Sequence, residues 1–351
     1  MGEQGLPGIG NFRLKTTYAY DVHGQLLEER QNNSTKQQDT IFRYTYDASG
    51  NRISKESLEG TTHYQYNEKN QLVSEEGIRG RNFFTHSCGG SIIKEEADLN
   101  TRHFTYNSKN QQVKVTCEDG QTQVNRYDSE GLRYEMKENE KLLRFIYHRG
   151  ELLYEKGKDE ATIYQLGYGT EAIWRDQKIY YYYQDEQSST ALITDDAGQI
   201  QNQYRYDAFG NDIGGSEKIS NRIRYTGQQY DGLTQQIYLR ARYYNSVLGR
   251  FMQEDSYHGD GLNLYTYCAN NPVMYYDPSG YATERCPPNG QFGGDGVESS
   301  VEVSGETKTI RNWKGEEVTL PEGHQMSPRD PVERAPSRMQ KKIFSTRRRG
   351  Y

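Results

Sequence analysis

The sequence predicts an all-β fold of antiparallel β-hairpins that repeat along the chain and join into a spiral, followed by a less ordered C-terminal tail. Three observations predict it: a repeat of about twenty residues, aromatic residues that alternate at period two, and turns rich in Asp, Asn and Gly. Apolar residues at helical spacing occur only weakly, around residues 232–242. We therefore expect mostly antiparallel strand and little helix.

The repeat is visible in five blocks that align with one another. They are YAYDVHGQLLEE (18–29), YTYDASGNRISK (44–55), YQYNEKNQLVSE (64–75), FTYNSKNQQVKV (104–115) and NRYDSEGLRYEM (125–136). The tyrosines in register are separated by 20, 40, 21 and 20 residues; they are Tyr46, Tyr66, Tyr106, Tyr127 and Tyr147. A degenerate copy fills the gap, with His86 in the tyrosine place. The period therefore does not follow from tyrosine abundance alone.

Each copy has the pattern of a β-hairpin. Tyr64 and Tyr66 lie two residues apart, which puts both rings on one face of a strand. The following turns resemble residues 47–51, where Asp47 can bond its own backbone and Gly50 accepts a positive φ. One hairpin cannot bury its aromatic face alone, so the copies are expected to pair edge to edge in one sheet. A β-propeller is the main alternative architecture, but each of its blades needs about 40–45 residues, which is twice this period. A spiral of hairpins therefore fits better.

The composition limits the classes of function. The hydrophobic fraction is 33% and the mean hydropathy is −1.05, but there are 31 tyrosines, and each ring can bury roughly 150–250 Å². The net charge of −6 gives no global indication of nucleic-acid or membrane binding, and no apolar run approaches the roughly 18 residues of a membrane span. The four cysteines contain no CxxC pair, so neither a zinc site nor a disulfide framework is indicated.

The second half of the chain resembles a known family. The motifs are YRYDAFGN (204–211), RYTGQQYDGLTQQIYLRARYYNSVLGRF (224–251) and NLYTYCANNPVMYYDPSGY (263–281). They are similar to the Rhs-repeat-associated core, and the earlier blocks resemble YD (Tyr-Asp) repeats. The resemblance covers about 18–281 and implies a strand spiral that closes, at least in part, into a hollow shell around a C-terminal toxin. A hollow shell wets both strand faces, which would account for the low hydrophobic fraction.

The resemblance and the composition together divide the chain into five parts. They are an N-terminal lead-in (1–17), a YD-repeat β array (18–179), the Rhs repeat-associated core (180–281), a Gly/Pro/Ser-rich linker (282–306) and a variable toxin-like segment (307–351).

The end of the core resembles the aspartyl self-cleavage motif of this family, Pro-x-x-x-x-Asp-Pro-x-Gly-Leu. The matching residues are Pro272, Asp277, Pro278 and Gly280, with Tyr281 in place of Leu before the scissile bond. The partner carboxylate matches Asp255, 22 residues upstream, which is followed by Ser256 instead of Pro. Two carboxylates held close cannot both ionise easily, so one keeps a proton while the other activates water.

The same residues also fit a plain turn and a stabilising role. Asp277 would then bond the backbone, and Gly280 would supply a positive φ. The residues expected to support the site are Arg250, Pro272 and Pro278. Arg240, Arg242 and Arg250 are expected mainly to stack on tyrosine rings, and their alternative role is to pair with the two aspartates.

The tail contains a faint nuclease-like motif. Residues 320–326, LPEGHQM, resemble the Gly-His motif of HNH/endonuclease VII-like toxin nucleases. The resemblance implies that His324 activates water, that Asp330 is a ligand of a divalent metal, and that the basic end binds phosphate. No cofactor is expected for the shell itself.

The leading hypothesis is a shell that encloses, presents and self-releases a polymorphic toxin in interbacterial competition. Its expected partners are a cognate immunity protein and secretion or delivery machinery. One alternative is a cell-surface carbohydrate-binding or adhesion protein without toxin activity. Another is a nuclease tail, which alone would bring nucleic acid as a partner. The first residues lack the apolar core of a signal peptide, so we expect a secreted or surface-delivered protein whose export signal lies elsewhere.

Overall fold

The computed structural model describes residues 14–33, 39–78, 80–98, 100–167, 169–256 and 262–285, together with three short strands at 300–301, 309–311 and 317–319. Within these residues there is no α-helix. The only helical pieces in the described part are single 3₁₀ turns at Tyr225–Gly227 and Cys268–Asn270.

Strands make up nearly all of the regular structure. They are β1 (Leu14–Tyr20), β2 (Leu26–Asn33), β3 (Thr40–Tyr46), β4 (Arg52–Ser57), β5 (Gly60–Tyr66), β6 (Leu72–Gly77), β7 (Gly80–His86), β8 (Ile92–Ala97), β9 (Thr101–Tyr106), β10 (Gln112–Cys117), β11 (Thr122–Tyr127), β12 (Arg133–Glu138), β13 (Lys141–His148), β14 (Glu151–Lys156), β15 (Ala161–Leu166), β16 (Thr170–Arg175), β17 (Lys178–Gln184), β18 (Thr190–Asp195), β19 (Ile200–Tyr206), β20 (Asp212–Glu217), β21 (Gln229–Asp231), β22 (Gln236–Tyr238), β23 (Tyr243–Asn245), β24 (Arg250–Phe251), β25 (Tyr275–Tyr276), β26 (Glu284–Arg285), β27 (Ser300–Val301), β28 (Thr309–Arg311) and β29 (Glu317–Thr319).

One antiparallel sheet contains β1 to β20, each strand paired with its neighbours along the chain. Counting β27, which pairs with β1, the sheet has 21 strands in the described part of the chain. Strands β21 to β24 form a second, four-stranded sheet. Among the described pairings β1 is not bonded to β20, so the sheet does not close into a barrel. The prediction of an all-β fold of antiparallel hairpins is confirmed.

The hairpin turns have the chemistry that the sequence predicts. The Asp47 carboxylate accepts hydrogen bonds from the backbone N–H groups of Ser49 (2.9 Å) and Asn51 (2.8 Å), and Gly50 has φ +73°. The same pattern returns at Asp207, which accepts from Phe209 and Asn211. These turns are specified locally, because the Asp side chain substitutes for backbone partners that the chain reversal leaves open.

The tyrosines in register join each hairpin to the one before it. Every hydroxyl donates to the backbone carbonyl of the first residue of the preceding hairpin's second strand. The pairs are Tyr46 to Leu26 (2.8 Å), Tyr66 to Arg52 (2.9 Å), Tyr106 to Ile92 (2.8 Å), Tyr127 to Gln112 (2.7 Å) and Tyr147 to Arg133 (2.9 Å). His86 instead packs edge-on against the Tyr265 ring, with centroids 6.2 Å apart. The repeated tyrosine therefore satisfies a carbonyl at each joint between hairpins.

Residues 221–256 and 262–281, which we call the covering segment, cover one face of the main sheet. Tyr64, Phe84 and Phe104 from that face are buried in one cluster with Tyr238 and Tyr243. The expectation that both faces are wetted is therefore wrong for this part of the chain. The low hydrophobic fraction has another cause, because tyrosines and hydrogen-bonded polar side chains take many of the interior places that aliphatic residues usually fill.

Arginines attach the covering segment to the sheet. Arg52 on β4 donates to the Leu248 carbonyl (2.6 Å), and Arg102 on β9 donates to the Thr234 carbonyl (2.8 Å). Arg250 of the covering segment donates in the other direction, to the Asn70 carbonyl (2.7 Å). Because the partners are backbone carbonyls, these contacts fix the path of the covering segment.

The proposed division of the chain is not tested by these observations and stays a prediction. The main sheet itself continues through residue 180, since β17 to β20 extend it to Glu217. The covering segment follows directly after this last strand.

Candidate self-cleavage site

Asp255 and Asp277 both contact one guanidinium group. The Nη2 atom of Arg242 is 2.7 Å from Oδ2 of Asp255 and 3.6 Å from Oδ2 of Asp277. All three side chains are buried, with 7% or less of each exposed. The fold therefore brings together the two carboxylates that the sequence predicts as a pair, and both contact the same cation.

Three short elements position these side chains. Arg242 directly precedes β23, Asp255 follows β24, and Asp277 directly follows β25. The backbone N–H of Asp255 donates to the Leu264 carbonyl (3.0 Å), and Arg242 Nη1 donates to that same carbonyl (3.3 Å). The Arg242 guanidinium also lies over the Phe251 ring, 3.5 Å from its centroid. The expected ring stacking and the alternative ion pairing thus occur at once in Arg242.

Asp277 also organises the turn that follows it. Its Oδ1 accepts hydrogen bonds from the backbone N–H groups of Ser279 (3.0 Å) and Gly280 (2.7 Å). Burial raises the pKa of the Asp277 carboxyl above its ordinary value, although these bonds and Arg242 act in the opposite direction, and nearby Asp255 raises it further. Asp277 therefore organises the turn and also belongs to the carboxylate pair.

The peptide groups at the expected boundary contact the same arginine. Arg242 Nε donates to the carbonyl oxygen of Gly280 (2.5 Å), and the Ser279 carbonyl accepts from the Ala241 N–H (3.1 Å). Gly280 has φ +76°, and a Cβ there would lie 2.6 Å from the Leu239 carbonyl oxygen. Only glycine fits this close approach. Tyr281 is half exposed just beyond it.

Some residues predicted for the site lie elsewhere or contribute indirectly. Arg250 packs over the rings of Tyr66 (4.7 Å) and Tyr265 (5.1 Å), as expected for ring stacking, and no contact described here joins it to the aspartates. Arg240 donates to the Gly150 carbonyl (2.7 Å). The Pro272 carbonyl accepts from the Gln187 side chain, which anchors the start of the motif. Pro278 directly follows Asp277 in the turn.

Sequence reasoning named Arg242 only as one of three arginines whose alternative role was to pair with the aspartates, and it chose Arg250 as the supporting residue. The sequence alone could not rank Arg240, Arg242 and Arg250. The ranking depends on which arginine the fold turns toward Asp255 and Asp277.

The residues predicted for a nuclease tail, His324 and Asp330, lie outside the described residues. Within the described ranges, no group of three or more His, Cys, Asp or Glu side chains could hold a metal ion. No helix in the described part is long and apolar enough to cross a membrane.

The chain matches one family model and several known proteins. The family model of the Teneurin YD-shell matches residues 4–273. The chain is 30% identical over 282 residues to the tRNA nuclease WapA of Bacillus subtilis (strain 168), which is 75% of this chain and 12% of the relative. It is 28% identical over 158 residues to the toxin subunit YenC1 of Yersinia entomophaga, 40% of this chain and 16% of the relative. The chain thus spans less than a fifth of the length of these curated relatives.

Among solved structures, a Photorhabdus luminescens Tc holotoxin pore aligns with 81% of this chain and 18% of its own, at 18% identity and a TM-score of 0.43.

Proposed function

Because the chain belongs to the Teneurin YD-shell family of Rhs/YD-repeat proteins, related to toxin proteins, we propose that it presents the variable segment after residue 281 and releases it by self-cleavage. The observation that carries this proposal is the pair of buried aspartates around Arg242, next to the Gly280 carbonyl. That arrangement joins an acid, a base and a polarising cation at one peptide link.

The proposed roles follow from the two environments. Asp255, at 2.7 Å from the guanidinium, is the base that activates a water molecule. Asp277, whose pKa burial raises, holds the proton that passes to the departing amide nitrogen. Arg242 Nε polarises the Gly280 carbonyl and stabilises negative charge that develops on its oxygen. The proposed cut is therefore at the Gly280–Tyr281 bond, one residue before the bond after Tyr281 that the family motif implies. Hydrolysis then leaves a carboxylate on one fragment and an amine on the other.

Mass spectrometry of the purified full chain tests the proposal. We expect a fragment that ends near residue 281, and its mass distinguishes a cut after Gly280 from a cut after Tyr281. Asp255→Asn and Asp277→Asn should each abolish that fragment, because an amide can neither activate water nor donate this proton.

The matched control is Asp195→Asn. Asp195 is half-buried and accepts the backbone N–H groups of Ala197 (3.0 Å) and Gln199 (2.9 Å), as Asp277 does in its own turn. Cleavage in this variant should equal that of the unchanged chain. Equal cleavage in Asp277→Asn, or no cleavage in any form, would contradict the proposal.

Arg242→Gln gives an independent check. It removes the cation from two buried carboxylates, so cleavage should slow by roughly a hundred- to a thousandfold, in the range seen when one charge-stabilising donor is lost. The rate is measured by following the fragment over time, with circular dichroism to confirm that the sheet persists. An unchanged rate would remove Arg242 from the mechanism.

Enclosure of a polymorphic toxin, an immunity partner, delivery machinery, export and a role in interbacterial competition belong to the same proposal. The toxin-related matches support them in general terms. Induction of residues 282–351 in bacterial cells tests toxicity directly, and normal growth with intact nucleic acid would count against both a toxin and a nuclease tail. The adhesion and carbohydrate-binding alternative gains no support from the matched relatives.

A further inference from the structure

Two distant parts of the main sheet meet, and among the described residues no backbone-to-backbone hydrogen bond joins them. Strands β2 to β4 lie against the turn at 207–211, which connects β19 to β20. We call this contact the seam. It is closed by side chains alone in the described structure, whereas neighbouring hairpins are also joined by a strand ladder.

An apolar cluster forms one half of the seam. Phe209 is fully buried in a cluster with Leu26, Phe42 and Tyr44, and its ring meets the Tyr44 ring edge-on with centroids 5.0 Å apart. Arg52 lies 5.0 Å from the Phe209 ring centroid. This half does not change its charge with pH in the physiological range.

Buried carboxylates form the other half. Glu29 on β2 is 1% exposed, and its Oε2 accepts the backbone N–H of Ala208 (2.8 Å). The adjacent Asp207 is equally buried and binds Lys55 on β4 (2.7 Å). Glu29 Oε1 accepts from Gln31 (2.8 Å). One lysine therefore faces two carboxylates that come from opposite sides of the seam.

We propose that the seam is a pH-sensitive latch that holds β2–β4 to the turn at 207–211 while Glu29 is protonated and loosens when Glu29 and Asp207 both carry charge. The proposal goes beyond self-cleavage, because neither Asp255 nor Asp277 takes part.

The electrostatics of Glu29 agree with this geometry. Burial, and then the neighbouring charge of Asp207, raise the pKa of Glu29 to about 7, while its hydrogen bonds and Lys55 act in the opposite direction. The folded state thus holds a proton that an unfolded or open Glu29 would have released. Stability from this group is present at low pH and is lost as pH rises through about 7.

The buried cation Arg52 belongs to the apolar half of the seam, where it packs on the Tyr44 and Phe209 rings, and no described contact joins it to the Glu29 carboxylate. Tyr18 on β1 and Tyr44 on β3 also lie in this region, and burial raises the pKa of both hydroxyls, so they stay neutral. Arg205 on β19 donates to Gln31 (3.0 Å), one side chain removed from Glu29.

Hydrogen exchange of the full chain tests the latch at the hydrogen bond from the Ala208 N–H to the Glu29 carboxyl. After correction for the intrinsic effect of pH on exchange, protection of the Ala208 amide should fall roughly tenfold from pH 6 to pH 8, as expected for one group that ionises near pH 7. Glu29→Gln keeps the acceptor oxygen without the charge, so its protection should stay within about twofold.

Two further variants make the test specific. Asp207→Asn should show a smaller fall than the unchanged chain, because one of the two charges is gone. Glu75→Gln is the matched control: Glu75 on β6 is another glutamate whose pKa burial raises, but it binds Asn82 away from the seam. It should retain the full fall. A pH-independent Ala208 amide in the unchanged chain, or an equal fall in Glu29→Gln and Asp207→Asn, would overturn the latch.

Discussion

Arg133 and Asp231 form a completely buried ion pair between the main sheet and the covering segment. Both side chains are 0% exposed, and Arg133 Nη2 donates to Asp231 Oδ1 at 2.9 Å. Arg222 adds a contact to the same Oδ1 atom (3.4 Å). A buried pair adds little net stability against an apolar pair, but removal of one partner leaves an uncompensated charge.

Asp231→Asn should therefore be strongly destabilising, by about 3–5 kcal/mol, because Arg133 stays buried without its counterion. Urea denaturation measures the change in the free energy of unfolding. The double variant Arg133→Met with Asp231→Leu should recover much of the loss, and a double variant as unstable as the single one would contradict this account.

At the scale of single elements, tyrosine hydroxyls form the same hydrogen bond between successive hairpins of the sheet. Tyr106→Phe removes the bond to the Ile92 carbonyl and should cost about 1 kcal/mol, the usual net value of one intramolecular hydrogen bond. Tyr134 on β12 is 39% exposed and serves as the control, since Tyr134→Phe should change the urea midpoint little. Equal effects at both positions would show that the hydroxyl bond contributes nothing.

Two glycines in hairpin turns allow the cost of backbone strain to be distinguished from the cost of a steric clash. Gly120 and Gly210 both have positive φ, +87° and +82°. A Cβ on Gly120 meets nothing within 4 Å, whereas one on Gly210 would lie 2.4 Å from the Tyr225 ring. Gly120→Ala should thus cost about 1 kcal/mol from backbone strain, and Gly210→Ala clearly more because a ring must move. Thermal melts of the two variants give the comparison, and equal shifts would mean that Tyr225 yields freely.

At the scale of the whole molecule, a buried carboxylate gives stability a definite pH dependence. Burial raises the pKa of Glu29, which is 1% exposed, to about 7. The folded state therefore binds a proton that the unfolded state has lost, and the contribution of this group to the free energy of unfolding should fall by about 1 kcal/mol between pH 6.5 and pH 8.

His86 acts with the opposite sign at lower pH. Burial lowers its pKa to about 4, so stability from this group rises with pH and levels off only above the ordinary histidine pKa of about 6.5. The contribution of Glu29 is therefore measured as the difference between the unchanged chain and Glu29→Gln over the same pH range, in which the His86 contribution cancels. A difference in the free energy of unfolding that stays constant between pH 6.5 and pH 8 would contradict the protonated state of Glu29.

The sequence by itself determined the local structure of this chain. Tyrosines at period two, Asp and Gly in the turns and the twenty-residue interval specify hairpins, because each signal acts over a few residues. The edge-to-edge pairing also followed, since a lone hairpin leaves its aromatic face and its edges open. The pair Asp255 and Asp277 was found from the family resemblance and not from any local rule.

Only the tertiary structure decided which distant groups meet. It brought Arg242 into contact with the two aspartates, where the sequence offered three arginines, and it brought Glu29 to the turn at 207–211. It also showed that the covering segment packs on one sheet face, so that this face is not wetted. Such contacts depend on how the sheet curls and on which side chains fill its inner surface, and these are properties of the whole packed chain.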